Sequence, residues 1–109
     1  MERIYNKLVR DNIPDIITSN EETPVTRILD EDEYKKALEE KLVEEQEEVL
    51  SSSGAERCEE LADIVEVIRS MAKLEGKTLE EIVAIADAKK LKRGGFDDRI
   101  YLEKVIEKV

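Results

Sequence analysis

Two short runs of acids hold the residues of this chain best suited to chemistry: Glu44-Glu45-Gln46-Glu47-Glu48 and Glu60-Leu61-Ala62-Asp63. Each contains an E-x-x-E or E-x-x-D spacing, which on a helix puts two carboxylates one turn apart on one side. A hairpin of two such helices gathers four carboxylates around one point. Four acids about 5 Å apart repel by about 3 kcal/mol per pair at an effective dielectric near 20. Such a cluster persists only if it is solvated, partly protonated or neutralised by a cation. Oxygen-only ligands, without His or Cys, select Mg²⁺, Mn²⁺ or Ca²⁺ over zinc. The competing reading is a salt-bridged helical surface with Lys36, Lys41 and Arg57 as partners of the acids.

The residue inventory narrows the chemistry further. The chain has no histidine, which removes Ser-His and Cys-His nucleophile pairs, His-ligated zinc and the Glu-x-x-His iron sites of ferritin-like bundles. Acid–base work falls to carboxylates, Lys, Tyr or water activated by a cation. The net charge of −10 argues against nucleic acid or an anionic membrane as partner. A small phosphorylated ligand stays open, because a bound cation and a local basic cluster override the global field. Fifteen of the 28 acids fall between Asp30 and Glu66, so the charge is concentrated. A single cysteine, Cys58, excludes an intrachain disulfide and fits a reducing compartment. The first residues lack the apolar core of a signal peptide, and no apolar run approaches the ~20 residues of a membrane span. The expectation is a soluble cytoplasmic protein.

The elements that must position these acids are mainly helical. Length alone, 109 residues, implies one domain with a modest core. Glu, Lys, Leu, Val and Ile are abundant, while the only aromatics are Tyr5, Tyr34, Tyr101 and Phe96. Asp11 or Asn12 can cap a short helix with Pro14 in its first turn, ending near Ser19. Val25–Leu29 reads as a short strand. Asp30 to Asp32 offers acidic caps for a long helix from about Glu31 to Ser51, and Ser51-Ser52-Ser53-Gly54 breaks it. A second long helix runs from about Ala55 to Glu75 and stops at Gly76. Thr78-Leu79-Glu80-Glu81 has capping-box spacing and opens a third, which ends at Gly94-Gly95. The segment Arg99–Val105 reads as a strand pairing with Val25–Leu29, or else as a short helix; the strand is preferred.

Helical geometry then sorts the acids. On the first long helix Leu38, Leu42, Glu45 and Val49 fall within an arc of roughly 60°. Glu45 therefore sits inside the apolar stripe and Glu48 flanks it, whereas Glu40 and Glu47 point outward. The second long helix is apolar over two adjoining stripes, Leu61, Val65, Ile68 and Ala72 beside Ile64, Val67, Met71 and Leu74. Glu60 lies within the second stripe and Asp63 at its edge. An arc so wide packs against two neighbours, which a partner helix and an oligomer interface together would supply. On the third, Lys89 and Arg93 continue the stripe of Ile82 and Ala86. Two readings fit that pair: interaction with the C-terminal helix dipole, or binding of a polyphosphate that also contacts the cation. Lys7 and Arg10 add cations near the N-terminus with no geometry legible in sequence. Cys58, at the edge of the apolar arc, reads as a core or interface residue.

Glu44-Glu45-x-x-Glu48 followed by Glu60-x-x-Asp63 resembles the E-E-x-x-E…E-x-x-D signature of the all-α nucleoside triphosphate pyrophosphohydrolases, the MazG-like group. Tyr5-Asn6-Lys7-Leu8-Val9-Arg10-Asp11-Asn12-Ile13-Pro14 and Lys92-Arg93-Gly94-Gly95-Phe96 resemble a small subgroup of phosphoribosyl-ATP pyrophosphohydrolase-like house-cleaning enzymes. The resemblance implies a helical bundle completed by homo-oligomerisation, as a dimer or higher, to which the two strands read above would add a small two-stranded β element. It implies Mg²⁺, with Mn²⁺ as a substitute, ligated by Glu45, Glu48, Glu60 and Asp63. Glu44 belongs to the signature, and a role supporting the ligands from behind, or a catalytic role in positioning the attacking water, is assigned to it. Lys7, Arg10, Lys89 and Arg93 are assigned to substrate phosphates. The expected reaction converts a nucleoside triphosphate to its monophosphate and pyrophosphate, in house-cleaning of non-standard nucleotides. Two alternatives are phosphoribosyl-ATP hydrolysis in histidine biosynthesis and a non-enzymatic acidic helical interaction module.

Overall fold

A computed structural model describes residues 1–108. Among these, four helices form and no strand: α1 Ile13–Ser19, α2 Glu31–Leu50, α3 Gly54–Leu74 and α4 Leu79–Arg93. The mainly helical expectation is met, with boundaries within a residue or two of those read from sequence.

Local chemistry sets each boundary. Pro14 occupies the first turn of α1, where its missing N–H costs nothing. Asn12 precedes the helix, but its side chain makes no capping bond. The Asp30 carboxylate accepts from the Glu33 N–H at the start of α2 while Glu33 reaches back to the Asp30 N–H, a complete capping box. Arg27 grips the same Glu33 carboxylate at 2.8 Å, and that hydrogen bond holds the Glu33 carboxyl below its ordinary range. At the end of α3, Lys77 donates to the Ala72 carbonyl at 2.9 Å and Gly76 to Lys73 at 3.0 Å. Gly76 sits at φ +74°, the left-handed position where this helix stop needs glycine. Thr78 then caps α4 in a second box with Glu81.

Helices α2 and α3 form an antiparallel hairpin joined by Ser51-Ser52-Ser53. Ser52 is buried; its hydroxyl donates to the Val49 carbonyl and its own carbonyl accepts from the Arg57 guanidinium at 2.8 Å. Inside the hairpin Leu38 is 3% exposed, Val67 5% and Ala72 5%, and they are the only apolar side chains buried among the described residues. The Ile64–Val67–Met71–Leu74 stripe of α3 is buried or half-buried, whereas Leu61 and Val65 of the adjoining stripe are exposed. Helix α4 meets α3 through Leu79 and Ile82, which are half-buried; from Val83 onward it is exposed. The molecule extends over 69 × 33 × 26 Å with a radius of gyration of 19.1 Å, against about 13 Å for a compact domain of this length.

The expected strands are a correction. Val25–Leu29 carries no ladder, and Val25 and Ile28 are each 96% exposed. Arg99–Val105 forms neither a strand nor the alternative short helix. No backbone hydrogen bond joins the two segments. An isolated two-stranded ribbon is marginal without a packed face, and neither segment has one.

Candidate metal centre

The hairpin turn lies close to the acids. Counting back from it along α2 and forward along α3 brings Glu45 opposite Glu60 and Asp63. One carboxylate oxygen from each of Glu45, Glu60 and Asp63 lies within 4.8 Å of the other two. Glu45 is 7% exposed, and Glu60 and Asp63 are half-buried. The stripe position of Glu45 thus translates into real burial, where an unpaired carboxylate is costly.

The electrostatics of the trio are asymmetric. Burial, then the charges of Asp63, Glu45 and Glu48, push the Glu60 carboxyl above its ordinary value. Glu60 is therefore the member that most gains from a cation. Lys41 sits 3.7 Å from Glu45 and 3.4 Å from Glu44, from within the same helix. Partial burial pushes Glu44 upward, but the hydrogen bond from Lys7 and the charges of Lys41 and Lys7 prevail and hold it below the ordinary carboxylate range.

Two further cations reach this site from the N-terminal segment. Arg10 donates to Asp63 at 2.8 Å and Lys7 to Glu44 at 3.3 Å. The Lys7 ammonium also stands 5.8 Å from the Tyr5 ring centroid, within cation–π range. Leu8 and Val9 between them are half-buried. No sequence signal gives these pairings, because an irregular segment has no periodicity to project.

The other expected residues fall elsewhere. Glu48 is exposed and outside the trio, acting on it only through its charge. Lys89 and Arg93 are exposed on α4, and no ion pair among the described residues joins them to the acids. Of the partners considered for a salt-bridged surface, Lys41 pairs with these acids, while Arg57 turns to the Ser52 carbonyl. Cys58 is exposed rather than part of the core.

The donor set fits a hard divalent cation. All three donors are carboxylate oxygens; among three ligands of an octahedral Mg²⁺ at ~2.1 Å at most one pair is opposite, about 4.2 Å apart, and the rest are about 3.0 Å apart. Side chains whose oxygens lie within 4.8 Å of one another would close inward on the ion. Glu45, Glu60 and Asp63 would hold the ion, leaving positions for water and phosphate oxygens.

Comparison with known proteins adds little. No family model matches the chain. No solved structure matches it. A 39-residue stretch is 54% identical to an uncharacterised protein of Mycolicibacterium smegmatis, covering 36% of this chain. The chain spans 40% of the length of that relative.

Proposed function

We propose that this chain is a Mg²⁺-dependent nucleoside triphosphate pyrophosphohydrolase, with Mn²⁺ as a substitute, working as a homo-oligomer on non-standard nucleotides. The observation that carries this reading is the carboxylate trio bridging α2 and α3 with Arg10 set against it. The motif resemblance supports it from the sequence side. No helix among the described residues is long and apolar enough to cross a membrane.

A cation bound there would neutralise phosphate oxygens and lower the pKa of an attacking water. The protein supplies the rest. Glu45, fixed by burial and by Lys41, sets the position of the site. Glu60, raised by burial and by the charges of Asp63, Glu45 and Glu48, would be held ionised by the bound cation and serve as a ligand. Glu44, held low by Lys7 and Lys41, stays ionised and orients water rather than accepting its proton. Arg10 and Lys7 place positive charge where a triphosphate enters, and such charge stabilises the departing pyrophosphate. Lys89 and Arg93 join them only if assembly brings α4 of another copy to the trio.

Pyrophosphate release from a panel of normal and modified nucleoside triphosphates, with Mg²⁺ and with chelator, tests this reading. Metal-dependent release that Glu45→Gln lacks supports it. Release from phosphoribosyl-ATP alone would move the substrate to the histidine pathway. One observation favours the non-enzymatic module: Asp63, Glu44 and Glu45 already have intrachain cations as partners. That module predicts no product from any nucleotide and no thermal stabilisation by Mg²⁺.

A further inference from the structure

Tyr5 is 61% exposed, yet its ring is held at two places. Its hydroxyl accepts from the Arg3 Nε at 3.3 Å, and Arg3 is fixed in turn by Glu22 at 2.6 Å, just past the end of α1. The Lys7 ammonium stands 5.8 Å from the ring centroid while reaching the Glu44 carboxylate of α2 at 3.3 Å. Two steps, Glu44 to Lys7 and Lys7 to Tyr5, therefore lead from the acidic site to an aromatic face. We propose that Tyr5 is the platform on which the base of the nucleotide stacks while its phosphates lie at Lys7 and the acids. This inference rests on the reading of the chain as a nucleoside triphosphate pyrophosphohydrolase, and adds the residue that holds the base.

Scattered apolar residues on a surface are ordinary; restraint is what sets Tyr5 apart. A free side chain loses rotamer freedom when it binds, whereas one held at its hydroxyl and over one face has lost much of it already. The backbone contributes as well. Asn6, between Tyr5 and Lys7, adopts φ +45°, a left-handed conformation that asparagine enters more readily than most residues. In a regular extended run the side chains of residues 5 and 7 would stand side by side; the kink at Asn6 lets Lys7 lie over the ring instead. The other aromatics are placed less well. Tyr34 is half-buried and eleven positions before Glu45 on α2, about 16 Å along the axis. Phe96 and Tyr101 lie beyond α4, and among the described residues neither has a hydrogen bond or cation–π contact to the acids or the N-terminal segment. Every nucleobase offers a π-face, and stacking on an aromatic ring holds it with little regard to its hydrogen-bonding edge. Such a platform suits a site that takes modified bases, whose edges vary while their faces persist.

Titration calorimetry on the full chain with Mg²⁺ tests this. The ligands are the uncleavable α,β-methylene triphosphates of guanosine and uridine, beside inorganic tripolyphosphate, which has no base. The wild type should bind at least one nucleotide more tightly than tripolyphosphate. Tyr5→Ala should weaken that nucleotide about 5- to 150-fold, the span of a lost base–aromatic stack, and leave tripolyphosphate unchanged. Tyr5→Phe should bind both as the wild type does. The chain has no tryptophan, so Tyr5→Trp supplies a reporter whose fluorescence should be quenched by the nucleotide and not by tripolyphosphate. Nucleotide preference that survives in Tyr5→Ala would overturn the proposal and leave the enzymatic reading standing. So would equal wild-type affinity for all three ligands, or an equal loss for nucleotide and tripolyphosphate in Tyr5→Ala, with Tyr5 then acting only through Lys7. A wild type that binds none of them would remove the enzymatic reading and this inference with it.

Discussion

The Arg10 guanidinium lies 2.8 Å from the Asp63 carboxylate across 53 positions of sequence, tying the irregular N-terminal segment to the third turn of α3. Both side chains are more than a third exposed, so the pair contributes only ~0–1 kcal/mol to folding. Its value lies in where it puts positive charge. Arg10→Ala should move the melting temperature by no more than a few degrees, yet lower kcat/KM for a nucleoside triphosphate about 10- to 100-fold, in the range seen for groups that orient metal ligands. Paired melting curves and steady-state kinetics check this. A large melting shift with unchanged kinetics would make Arg10 a structural residue alone.

Glu45, Glu60 and Asp63 converge from two helices, so a divalent cation should stabilise the folded hairpin. At a hundredfold excess over its dissociation constant the gain is about 2.7 kcal/mol. Mg²⁺ or Mn²⁺ should therefore raise the wild-type melting temperature and chelator should return it. Glu45→Gln and Asp63→Asn should abolish both the shift and turnover while keeping the helical signal. Glu48→Gln, at an exposed position outside the trio, should weaken the shift without removing it.

The raised Glu60 carboxyl gives a pH dependence of definite sign. Because the folded state binds that proton more tightly than the unfolded one, the associated stability is complete below the ordinary value of 4.5 and is lost as pH rises through the raised value. Without added cation, Glu60→Gln should melt higher than wild type at pH 7, and the two should converge near pH 4. With Mg²⁺ at pH 7 the order should reverse, since only the wild type keeps all three ligands. Thermal melts across pH, with and without cation, measure both effects; parallel curves would show that Glu60 is simply solvated.

How legible this was in the sequence depends on what sort of signal each element carries. Helices α2, α3 and α4 announce themselves through capping residues and a 3.6-residue period, and the same period placed Glu45, Glu60 and Asp63 on facing stripes. Glu48, at the flank of its stripe, is exposed, and its charge still acts on Glu60. The Val25–Leu29 and Arg99–Val105 segments have strand composition, but pairing is a property of two segments and a surface, and no single stretch encodes it. The partners of Lys7 and Arg10 were illegible for the same reason. Their contacts are made from an aperiodic segment, whose Leu8 and Val9 are half-buried.

Helix α4 offers the sharpest test of local against tertiary stabilisation. Its only half-buried residues are Leu79 and Ile82 at its start, so packing holds it at one end and the capping box holds that same end. The Thr78 hydroxyl accepts from the Glu81 N–H at 3.1 Å and the Glu81 carboxylate accepts from the Thr78 N–H at 3.2 Å. Loss of an N-cap oxygen costs about 1 kcal/mol. Thr78→Ala should therefore cost about that much and increase amide exchange selectively in residues 79–93, whereas Thr78→Ser should be nearly silent. Leu38→Ala, by contrast, empties one of the few buried positions between α2 and α3 and should cost 2–5 kcal/mol, as large-to-small core changes do (about the whole margin of a thin core). Amide exchange with denaturant melts separates the two cases. If Thr78→Ala instead exposed α2 and α3 together with α4, the helices would be one cooperative unit, and the slight contact between α3 and α4 would be stronger than its burial implies.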